Sequence, residues 1–294
     1  MMKRILLATL LLLSPKLQAH VDTKNLFVIP AAEAKEMLHI YGIKEDELLL
    51  SLLPLTQPLA RAPISHEKVG AAVMGKSGTI YLGVNLEFPG VPLHESVHAE
   101  QFAIANARRY GETEITTIAI SAAPCGHCRQ FMQEIEQSGK IRVVTASFNK
   151  PLDKLLPHAG NTQNRDAHTH LLTPSPPHMS LMIYSLDNEA REAYLASYAP
   201  YSKCPSGVAI QVKSGQIYRG AYLENRAFNP SLSPLQAALI ALIADMSDYA
   251  EILSVLLVEK PNALISHEAT TRAILKNIAP QAHFSKILQK QHPE

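Results

Sequence analysis

The sequence predicts an α/β protein that contains two copies of one fold. Three observations support this fold class. Apolar strand patterns alternate with helical patterns along the chain. A strand–turn–strand pattern occurs twice, and the two occurrences align at one constant offset without a gap. A length of 294 residues also favours two domains over one.

Composition excludes several classes of protein. Apolar residues make up 47% of the chain and charged residues 18%, which is ordinary for a globular protein. The 27 basic side chains against 26 acidic ones leave no field that would attract nucleic acid. Three cysteines are too few and too odd in number for a disulfide-stapled scaffold. We therefore expect reduced thiols.

The N-terminus allows two interpretations. The stretch MMKRILLATLLLLSPKLQA has a basic start, an apolar run from Ile5 to Leu13 and a small residue at Ala19, as secretory signal peptides do. The alternative is a first helix that packs on the protein. In either case the apolar run is too short to span a bilayer, which takes about 20 residues.

From residue 31 the chain alternates between helix and strand patterns. Residues 31–55 indicate two short helices that end near Gly42 and Pro54. Residues 68–88 indicate a hairpin whose turn is Gly-Lys-Ser-Gly and whose second strand surrounds Ile80. These elements form the first half of the repeat.

The next elements lead to a cysteine motif. A helix follows Pro92 and ends at Gly111, and the buried strand ITTIAISAA then runs directly into CGHC, which opens another helix. Residues 151–179 are rich in Pro, His, Asn and Thr without periodicity, which indicates a linker.

The second half repeats the first hairpin at an offset of 137 residues. Turn and strand residues coincide in one register, which chance would not produce. The matching pairs are Pro63/Pro200, Ser65/Ser202, Gly70/Gly207, Lys76/Lys213, Ser77/Ser214, Gly78/Gly215, Ile80/Ile217, Tyr81/Tyr218, Gly83/Gly220 and Glu87/Glu224. We expect a helical segment at 1–52, a catalytic domain at 53–150, a linker at 151–180 and a degenerate domain at 181–294.

The second copy lacks one set of polar side chains. At the same offset, the counterparts of His98, Glu100, Cys125 and Cys128 are Leu235, Ala237, Asn262 and Ile265. Side chains that are lost together while the frame survives are expected to work together. The duplication therefore selects His98, Glu100, Cys125 and Cys128 as the chemical set.

These residue types suit a catalytic zinc site. Two thiolates and one imidazole bind zinc and leave a fourth position open for water. Zinc lowers the pKa of bound water from about 15.7 to about 7, which corresponds to roughly 12 kcal/mol. A positioned carboxylate such as Glu100 adds about 10² to 10⁴ in rate by proton transfer, or roughly 3 to 5 kcal/mol. The metal thus makes the nucleophile, and Glu100 moves protons.

Three other interpretations compete with a catalytic zinc site. CGHC between a strand and a helix also occurs in thiol oxidoreductases, but the chain has no tryptophan ahead of the motif. His94 to His98 matches the H-E-x-x-H of zinc proteases, which leaves both cysteines without a role. A structural zinc site could use His94 or His127 with His98, which leaves Glu100 without a role.

The combined motifs identify a family resemblance. His98-Ala99-Glu100 and Pro124-Cys125-Gly126-His127-Cys128 match the H-x-E and P-C-x-x-C signature of zinc deaminases. With NLEF, LARAPIS, VHAEQ, PCGHCRQFM, SGVA and ENRAFNPSL, the chain resembles bacterial cytidine deaminases of the homodimeric type from about Ala31 onward.

The resemblance implies a fold and a site. Each half would be an α/β/α sandwich with a mixed sheet, active in the first half and degenerate in the second. His98, Cys125 and Cys128 would hold one Zn²⁺ per subunit, and Glu100 would be the catalytic proton shuttle. Substrate would contact Asn85, Leu86, Glu87 and Ala99, with Asn85 and Glu87 on the ribose. Ala227 and Phe228 of one subunit would reach the substrate of the other subunit in a homodimer.

The resemblance also implies an activity. Water would add at C4 of cytidine, and of 2′-deoxycytidine, to give uridine or its deoxy form and ammonia, a step of pyrimidine salvage. The remaining alternatives are a zinc deaminase of another aminated nucleoside or base, and a non-catalytic zinc protein. We expect a cytoplasmic enzyme without nucleic-acid or membrane partners, in which the N-terminal apolar run is the family's first helix.

Two positions depart from the family pattern. Family members carry an aromatic residue before the first hairpin strand, where this chain has Glu67, and another in a later loop, where this chain has Gly160. Both positions normally border the base. Loss of a stacking surface, worth about 1 to 3 kcal/mol per base in other contexts, predicts altered affinity or base preference.

Overall fold

The computed structural model describes residues 21, 25–159, 169–174 and 184–289. The chain divides into two units, which are described separately. The first unit comprises residues up to Glu87 and from Ser96 to Asn161, and the second comprises Phe88–Glu95 and the chain from Thr162 onward. The signal-peptide-like stretch, Gly160 and most of the expected linker lie outside the described residues.

The first unit is built around a mixed sheet, as expected. Its described strands have the order β1-β3-β2-β4-β5-β6, in which β4 and β5 are parallel and the other neighbours antiparallel. Its elements are β1 (Val28–Ile29), α1 (Ala31–Tyr41), α2 (Glu45–Thr56), β2 (Gly70–Gly75), β3 (Ile80–Val84), α3 (Ala99–Arg109), β4 (Ile115–Ile120), α4 (Gly126–Met132), β5 (Arg142–Val144), β6 (Asn149–Pro151) and α5 (Leu152–Leu155).

Two glycines show that helices cover both faces of this sheet. A Cβ on Gly70 would lie 3.2 Å from the Leu53 carbonyl oxygen in α2, and one on Gly83 would lie 2.4 Å from the Ala99 carbonyl oxygen in α3. Gly83 pairs with Ala71, the neighbour of Gly70. Since neighbouring strand residues point to opposite faces, α2 and α3 lie on opposite sides. The expected α/β/α layering is confirmed.

The interior of the first unit is apolar and tightly packed. Leu48, Leu49 and Leu52 of α2 are fully buried, as are Phe102 and Ala103 of α3. Close packing of this kind fixes the position of α3 against β3, and the first residues of α3 carry the predicted chemistry. The boundary expected at residue 52 lies within α2, and the expected linker begins with β6 and α5.

The second unit repeats the central part of this architecture. Its described strands have the order β10-β9-β7-β8, with β10 parallel to β9 and the other pairs antiparallel. Its elements are α6 (Leu186–Leu195), β7 (Ser206–Val212), β8 (Ile217–Ala221), α7 (Pro234–Ala244), β9 (Ile252–Glu259), α8 (Glu268–Ile278) and β10 (His283–Leu288).

The duplication extends to irregular features. The register of β2 against β4 shifts between Met74 and Gly75, and that of β7 against β9 shifts at the equivalent Gln211 and Val212. A Cβ on Gly207 would lie 2.1 Å from the backbone of α6, and one on Gly220 would lie 2.1 Å from the backbone of α7. Both close approaches of the first unit therefore recur in the copy, which confirms the predicted repeat.

The constant offset fails at two helix starts, and four predicted pairings are wrong. Gly83 faces Ala99 and Ala103, whereas Gly220 faces Pro234 and Ala238, so the loop before α7 is two residues shorter. The N-cap residue of α4 is Cys125 and that of α8 is His267, so the loop before α8 is five residues longer. The four residues His98, Glu100, Cys125 and Cys128 thus correspond to Ser233, Leu235, His267 and Thr270. The copy still lacks the chemical set.

Among the described residues, no helix combines the length and the apolarity needed to cross a lipid bilayer.

Candidate metal centre and active site

Two helix starts in the first unit carry the predicted ligands. His98 is the N-cap residue of α3, and its backbone N–H donates to Oε1 of Gln101 at 3.1 Å. Cys125 is the N-cap residue of α4, and its carbonyl oxygen accepts from the N–H of Arg129 at 3.1 Å. The N-terminal end of a helix favours negative charge, so Cys125 lies where a thiolate is stabilised.

The three predicted ligands lie together at distances that suit zinc. Nδ1 of His98 is 3.6 Å from Sγ of Cys125, and the sulfurs of Cys125 and Cys128 are 3.6 Å apart. A tetrahedral zinc ion with usual bond lengths places nitrogen and sulfur roughly 3.6 Å apart and two sulfurs roughly 3.8 Å apart. The donor atoms therefore fit one tetrahedral ion with His98 bound through Nδ1.

The ligands differ in their exposure to solvent. The side chain of Cys128 is buried, His98 is partly buried and Cys125 is exposed. A structural zinc site is usually closed on all sides, whereas a catalytic site keeps one position accessible. The exposure of Cys125 favours the second type.

The ionisation of the three side chains is coupled. The hydrogen bond between the two sulfurs lowers the pKa of Cys125, although partial desolvation of the thiol acts in the opposite direction, and His98 lowers the pKa further. The same hydrogen bond, together with burial, raises the pKa of Cys128. The contact with Cys125 raises the pKa of His98. One thiolate is therefore already present where a cation binds, and binding displaces the remaining protons since metal ligands are deprotonated.

Glu100 lies in the first turn of α3 and only 4% of its surface is exposed. Burial raises the pKa of its carboxyl group, and interactions with Cys128 and His98 oppose this effect. A general acid or base works best when its pKa lies close to the working pH, and burial shifts the pKa of Glu100 in that direction. The structure thus places Glu100 next to the predicted ligands.

His127 joins the same cluster. Among the described residues, His98, Cys125, His127 and Cys128 form a group whose donor atoms all lie within 4.8 Å of one another. The rings of His98 and His127 stack with centroids 4.6 Å apart and an interplanar angle of 20°. The spacing of the CGHC motif did not give the direction of the His127 ring.

Arg129 ties the cysteine turn to the chain that follows β6. Its Nε donates to the Pro124 carbonyl at 2.9 Å, and its guanidinium donates a second hydrogen bond to the Leu155 carbonyl at 2.8 Å. Because both acceptors are backbone atoms, Arg129 fixes the path of the chain just before Cys125. The sequence pattern around Arg129 does not indicate this role.

The protease interpretation fails on local geometry. Residues Leu93–Glu95 form a 3₁₀ turn, and α3 begins only at Ala99. His94 and His98 therefore do not share one face of a helix, which H-E-x-x-H ligation requires.

Asn85 and Glu87 follow β3 and already hold neighbouring backbone. Oδ1 of Asn85 accepts from the N–H of Val69 at 2.9 Å, and its Nδ2 donates to the Glu67 carbonyl at 2.9 Å. Glu87 accepts from the N–H groups of Ile64 and Ser65 at 2.9 and 3.0 Å, and from the Ser65 hydroxyl. Burial opposes the ionisation of Glu87, but these hydrogen bonds outweigh it and lower the pKa.

Leu86 and Ala99 are both buried. The backbone of Leu86 exchanges two hydrogen bonds with Val97, at 2.9 and 2.8 Å, directly before His98. This bridge attaches the start of α3 to the end of β3. Ala99 is the first residue of α3, where a backbone N–H has no partner within the helix.

Ala227 and Phe228 lie in the second unit, in the loop that follows β8. The N–H of Ala227 donates to Oδ1 of Asn225 at 2.9 Å, and that of Phe228 donates to the Asn225 carbonyl at 2.9 Å. Phe228 is 75% exposed and has a left-handed backbone with φ 64°. Such a conformation is uncommon for a bulky residue.

Glu67, the first departure from the expected pattern, is exposed in the structure. Its N–H donates to the Ser65 hydroxyl at 3.0 Å, and its carbonyl accepts from Asn85. The backbone of residue 67 thus orients Asn85, while its carboxylate is free to face solvent.

Comparisons with known proteins identify a zinc-binding family. The family described as "Cytidine and deoxycytidylate deaminase zinc-binding region" matches residues 43–145, and a second family of the same description matches residues 151–272. The chain is 38% identical over 291 residues to cytidine deaminase 1 of Arabidopsis thaliana, which covers 89% of this chain and 97% of the relative.

Two bacterial relatives show similar agreement. The cytidine deaminase of Shewanella pealeana is 38% identical over 275 residues, which covers 91% of this chain and 88% of the relative. The cytidine deaminase of Yersinia pestis is 40% identical over 257 residues, which covers 87% of each chain.

Proposed function

The chain belongs to the cytidine and deoxycytidylate deaminase family, and from that premise we propose that it hydrolyses cytidine, and 2′-deoxycytidine, to the uracil nucleoside and ammonia. One observation carries the proposal. Nδ1 of His98 and the sulfurs of Cys125 and Cys128 have the separations of a tetrahedral zinc site, beside a buried carboxyl group with a raised pKa.

His98, Cys125 and Cys128 are the residues that would hold the metal. A bound zinc ion supplies one chemical property, which is to lower the pKa of a water molecule to about 7. The two thiolates neutralise the double positive charge of a zinc ion. No net positive charge then remains that would hold the ionised carboxylate of Glu100 as a fourth ligand. The open side at Cys125 leaves room for water and substrate.

Glu100 would transfer the protons of the reaction. Its carboxylate takes a proton from the attacking water and delivers it to N3 of cytosine, as the bond from oxygen to C4 forms. It then takes the second water proton and delivers it to the amino group, which leaves as ammonia when the C4–N bond breaks. Proton transfer by a positioned side chain contributes about 10² to 10⁴ in rate.

Asn85 and Glu87 can still bind a ribose in addition to their backbone partners. A carboxylate has about four acceptor positions, and Glu87 uses three of them within the chain. Its lowered pKa keeps it ionised, so it can accept from a sugar hydroxyl. The second hydrogen on Nδ2 of Asn85 can donate to a sugar oxygen.

Leu86 and Ala99 would act in different ways. Both backbone groups of Leu86 are used by Val97, so it contributes apolar contact and the attachment of α3. The N–H of Ala99 has no partner within the helix and can donate to the carbonyl of the cytosine ring.

We propose a homodimer in which Ala227 and Phe228 of one subunit border the substrate of the other. An exposed aromatic ring on a left-handed backbone supports this assignment, because strained residues persist where the surrounding structure and function demand them. We place the enzyme in the cytoplasm, where an exposed ligand thiol such as Cys125 stays reduced.

A panel of substrates tests the proposed function. Purified protein is assayed for ammonia release from cytidine, deoxycytidine, cytosine and aminated purine nucleosides, and its zinc content is measured in parallel. Turnover of the cytosine nucleosides supports the proposal. Glu67 favours one alternative, a changed base preference, which predicts that another aminated nucleoside is the better substrate. Zinc without turnover of any compound would indicate a non-catalytic zinc protein.

A further inference from the structure

His127 contacts the proposed metal ligand His98, but His127 itself has no role in the proposed chemistry. Its ring stacks on the ring of His98 at a centroid distance of 4.6 Å and an angle of 20°. This contact joins the two helix starts of the site, since His98 caps α3 and His127 is the second residue of α4. Aromatic rings prefer such offset stacks at separations of about 4.5 to 7 Å.

The backbone next to His127 is held in place by Arg129. Arg129, two residues later, is hydrogen-bonded to the carbonyls of Pro124 and Leu155. The backbone of the turn that carries His127 is thus anchored by Arg129, and the stack on His98 sets the direction of the ring.

Stacking is not the geometry of a fourth ligand. A ring nitrogen donates its lone pair in the plane of the ring, and the lone pairs of two stacked rings run side by side. Two imidazoles bound to one tetrahedral ion must instead point their lone pairs at a common centre. The contact between His98 and His127 therefore suits a supporting ring better than a closed four-ligand site.

The second unit provides an internal comparison. It keeps both helix starts, with Ser233 and His267 as the N-cap residues of α7 and α8. Counted from these caps, the counterpart of His98 is Ser233 and that of His127 is the exposed Ala269. The copy has neither ring, so the frame does not require His127, and the two imidazoles are lost together.

We propose that His127 is a positioning residue, which stacks on His98 and holds its ring with Nδ1 toward the two sulfurs, so that zinc is released slowly. The inference rests on the zinc site of the proposed function. A ligand histidine that can rotate loses its orientation and part of its metal affinity, and loss of a supporting partner typically costs about 10- to 100-fold.

Zinc release from the full-length protein tests this role. The zinc-loaded wild type, His127→Ala and His127→Phe are mixed with excess chromogenic chelator, and the release rate is recorded. We expect release to be about 10-fold faster in His127→Ala and close to the wild-type rate in His127→Phe, which keeps a stacking ring. His39→Ala, which removes an exposed histidine of α1, is the matched control and should behave as the wild type.

Two other results would overturn the proposal. Equal release rates in all variants would show that the ring is a bystander. Equally fast release from His127→Ala and His127→Phe, with a changed visible spectrum of the Co²⁺-substituted protein, would show that His127 is itself a ligand. Urea unfolding of the metal-free variants separates a general loss of stability from a local effect. Because the readout is metal release, a wild type that holds zinc but does not convert cytidine would refute the proposed function alone.

Discussion

Glu87 and Glu224 make the same backbone contacts in the two units. Glu87 accepts hydrogen bonds from the N–H groups of Ile64 and Ser65, and Glu224 accepts from those of Tyr201 and Ser202 at 2.7 and 3.0 Å. The copy has lost the metal ligands but keeps this glutamate. The carboxylate therefore holds the turn before the hairpin in both units, and ribose binding is an additional role that we propose for Glu87.

Replacement of either glutamate by glutamine separates the two functions. A neutral amide is a weaker acceptor and can turn its NH₂ group toward the backbone donors. We expect Glu87→Gln and Glu224→Gln to lower the free energy of unfolding by similar amounts, about 1.5 to 3 kcal/mol. Only Glu87→Gln should also raise KM for cytidine. Urea unfolding and steady-state kinetics measure both effects, and unchanged stability of both variants would disprove the structural function.

Replacement of Glu100 tests the proton carrier. Glu100→Gln keeps the shape of the side chain but cannot take up a proton, so we expect normal zinc content and a kcat lowered by about 10² to 10⁴. Zinc analysis and uridine formation check this result. Glu36→Gln, at an exposed position of α1, is the control. A Glu100→Gln enzyme with normal turnover would assign the proton transfer to another group.

Replacement of Cys125 or of Cys204 by alanine gives a matched pair of variants that tests metal binding. Cys125→Ala removes a proposed ligand, so we expect loss of bound zinc together with loss of activity. Cys204→Ala removes a buried thiol of the second unit and should keep one zinc ion per chain. Elemental analysis after dialysis distinguishes them. Retention of zinc by Cys125→Ala would contradict the ligand assignment.

A pair of glycines tests how packing positions the site. A Cβ on Gly83 would lie 2.4 Å from the Ala99 carbonyl oxygen, so Gly83→Ala should push α3, with His98 and Glu100, away from the sheet. We expect a loss of about 1 to 3 kcal/mol in stability and weaker zinc binding. Gly220→Ala makes the same clash with α7, so it should destabilise the protein while zinc affinity stays normal. Equal zinc affinity in the two variants would show that the packing of α3 against Gly83 does not position the zinc site.

His267 gives a pH dependence of stability. Burial lowers its pKa to about 4, although Glu259 acts in the opposite direction. The unfolded chain, with an ordinary pKa of about 6.5, binds the proton first as pH falls. Stability should therefore decrease between about pH 6.5 and 4, by at most about 1.4 kcal/mol per pH unit.

In the wild type, the ring centroids of Tyr222 and His267 are 4.5 Å apart. His267→Phe removes the titrating group and keeps a ring against Tyr222. Urea unfolding of the wild type and the variant at pH 7.5 and pH 5 gives the difference. We expect the stability of the wild type relative to the variant to be lower at pH 5 than at pH 7.5. A difference independent of pH would show that His267 does not titrate in this range.

The sequence was sufficient to predict the repeat and the two helix starts that carry the proposed ligands, for physical reasons. A buried strand that runs into P-C-x-x-C places Cys125 and Cys128 at a helix start, and the H-x-E pattern does the same for His98 and Glu100. The mixed sheet in each half followed from the family resemblance. The helix starts and the repeat depend on local spacing, which can be read directly from a single sequence.

Other features depend on loop lengths and on the direction of side chains. The offset of 137 residues holds in the hairpins and in β4 and β9 but not at the starts of α7 and α8, because the copy has a shorter loop before α7 and a longer one before α8. The matching pairs His98/Gln101 and Ser233/Gln236, each three residues apart at a helix start, could have revealed the first change. Nothing in the spacing of CGHC indicated that the His127 ring turns toward His98.

The most direct test of the central claim is the rate of ammonia release from cytidine as a function of bound zinc. Purified protein is stripped with a chelator and reloaded in steps, and activity is compared with zinc content at each step. We predict a rate that rises in proportion to zinc, reaches its maximum at one ion per chain and is absent from the stripped protein. Turnover that continues without zinc, or a fully loaded protein that leaves cytidine unchanged, would contradict the account.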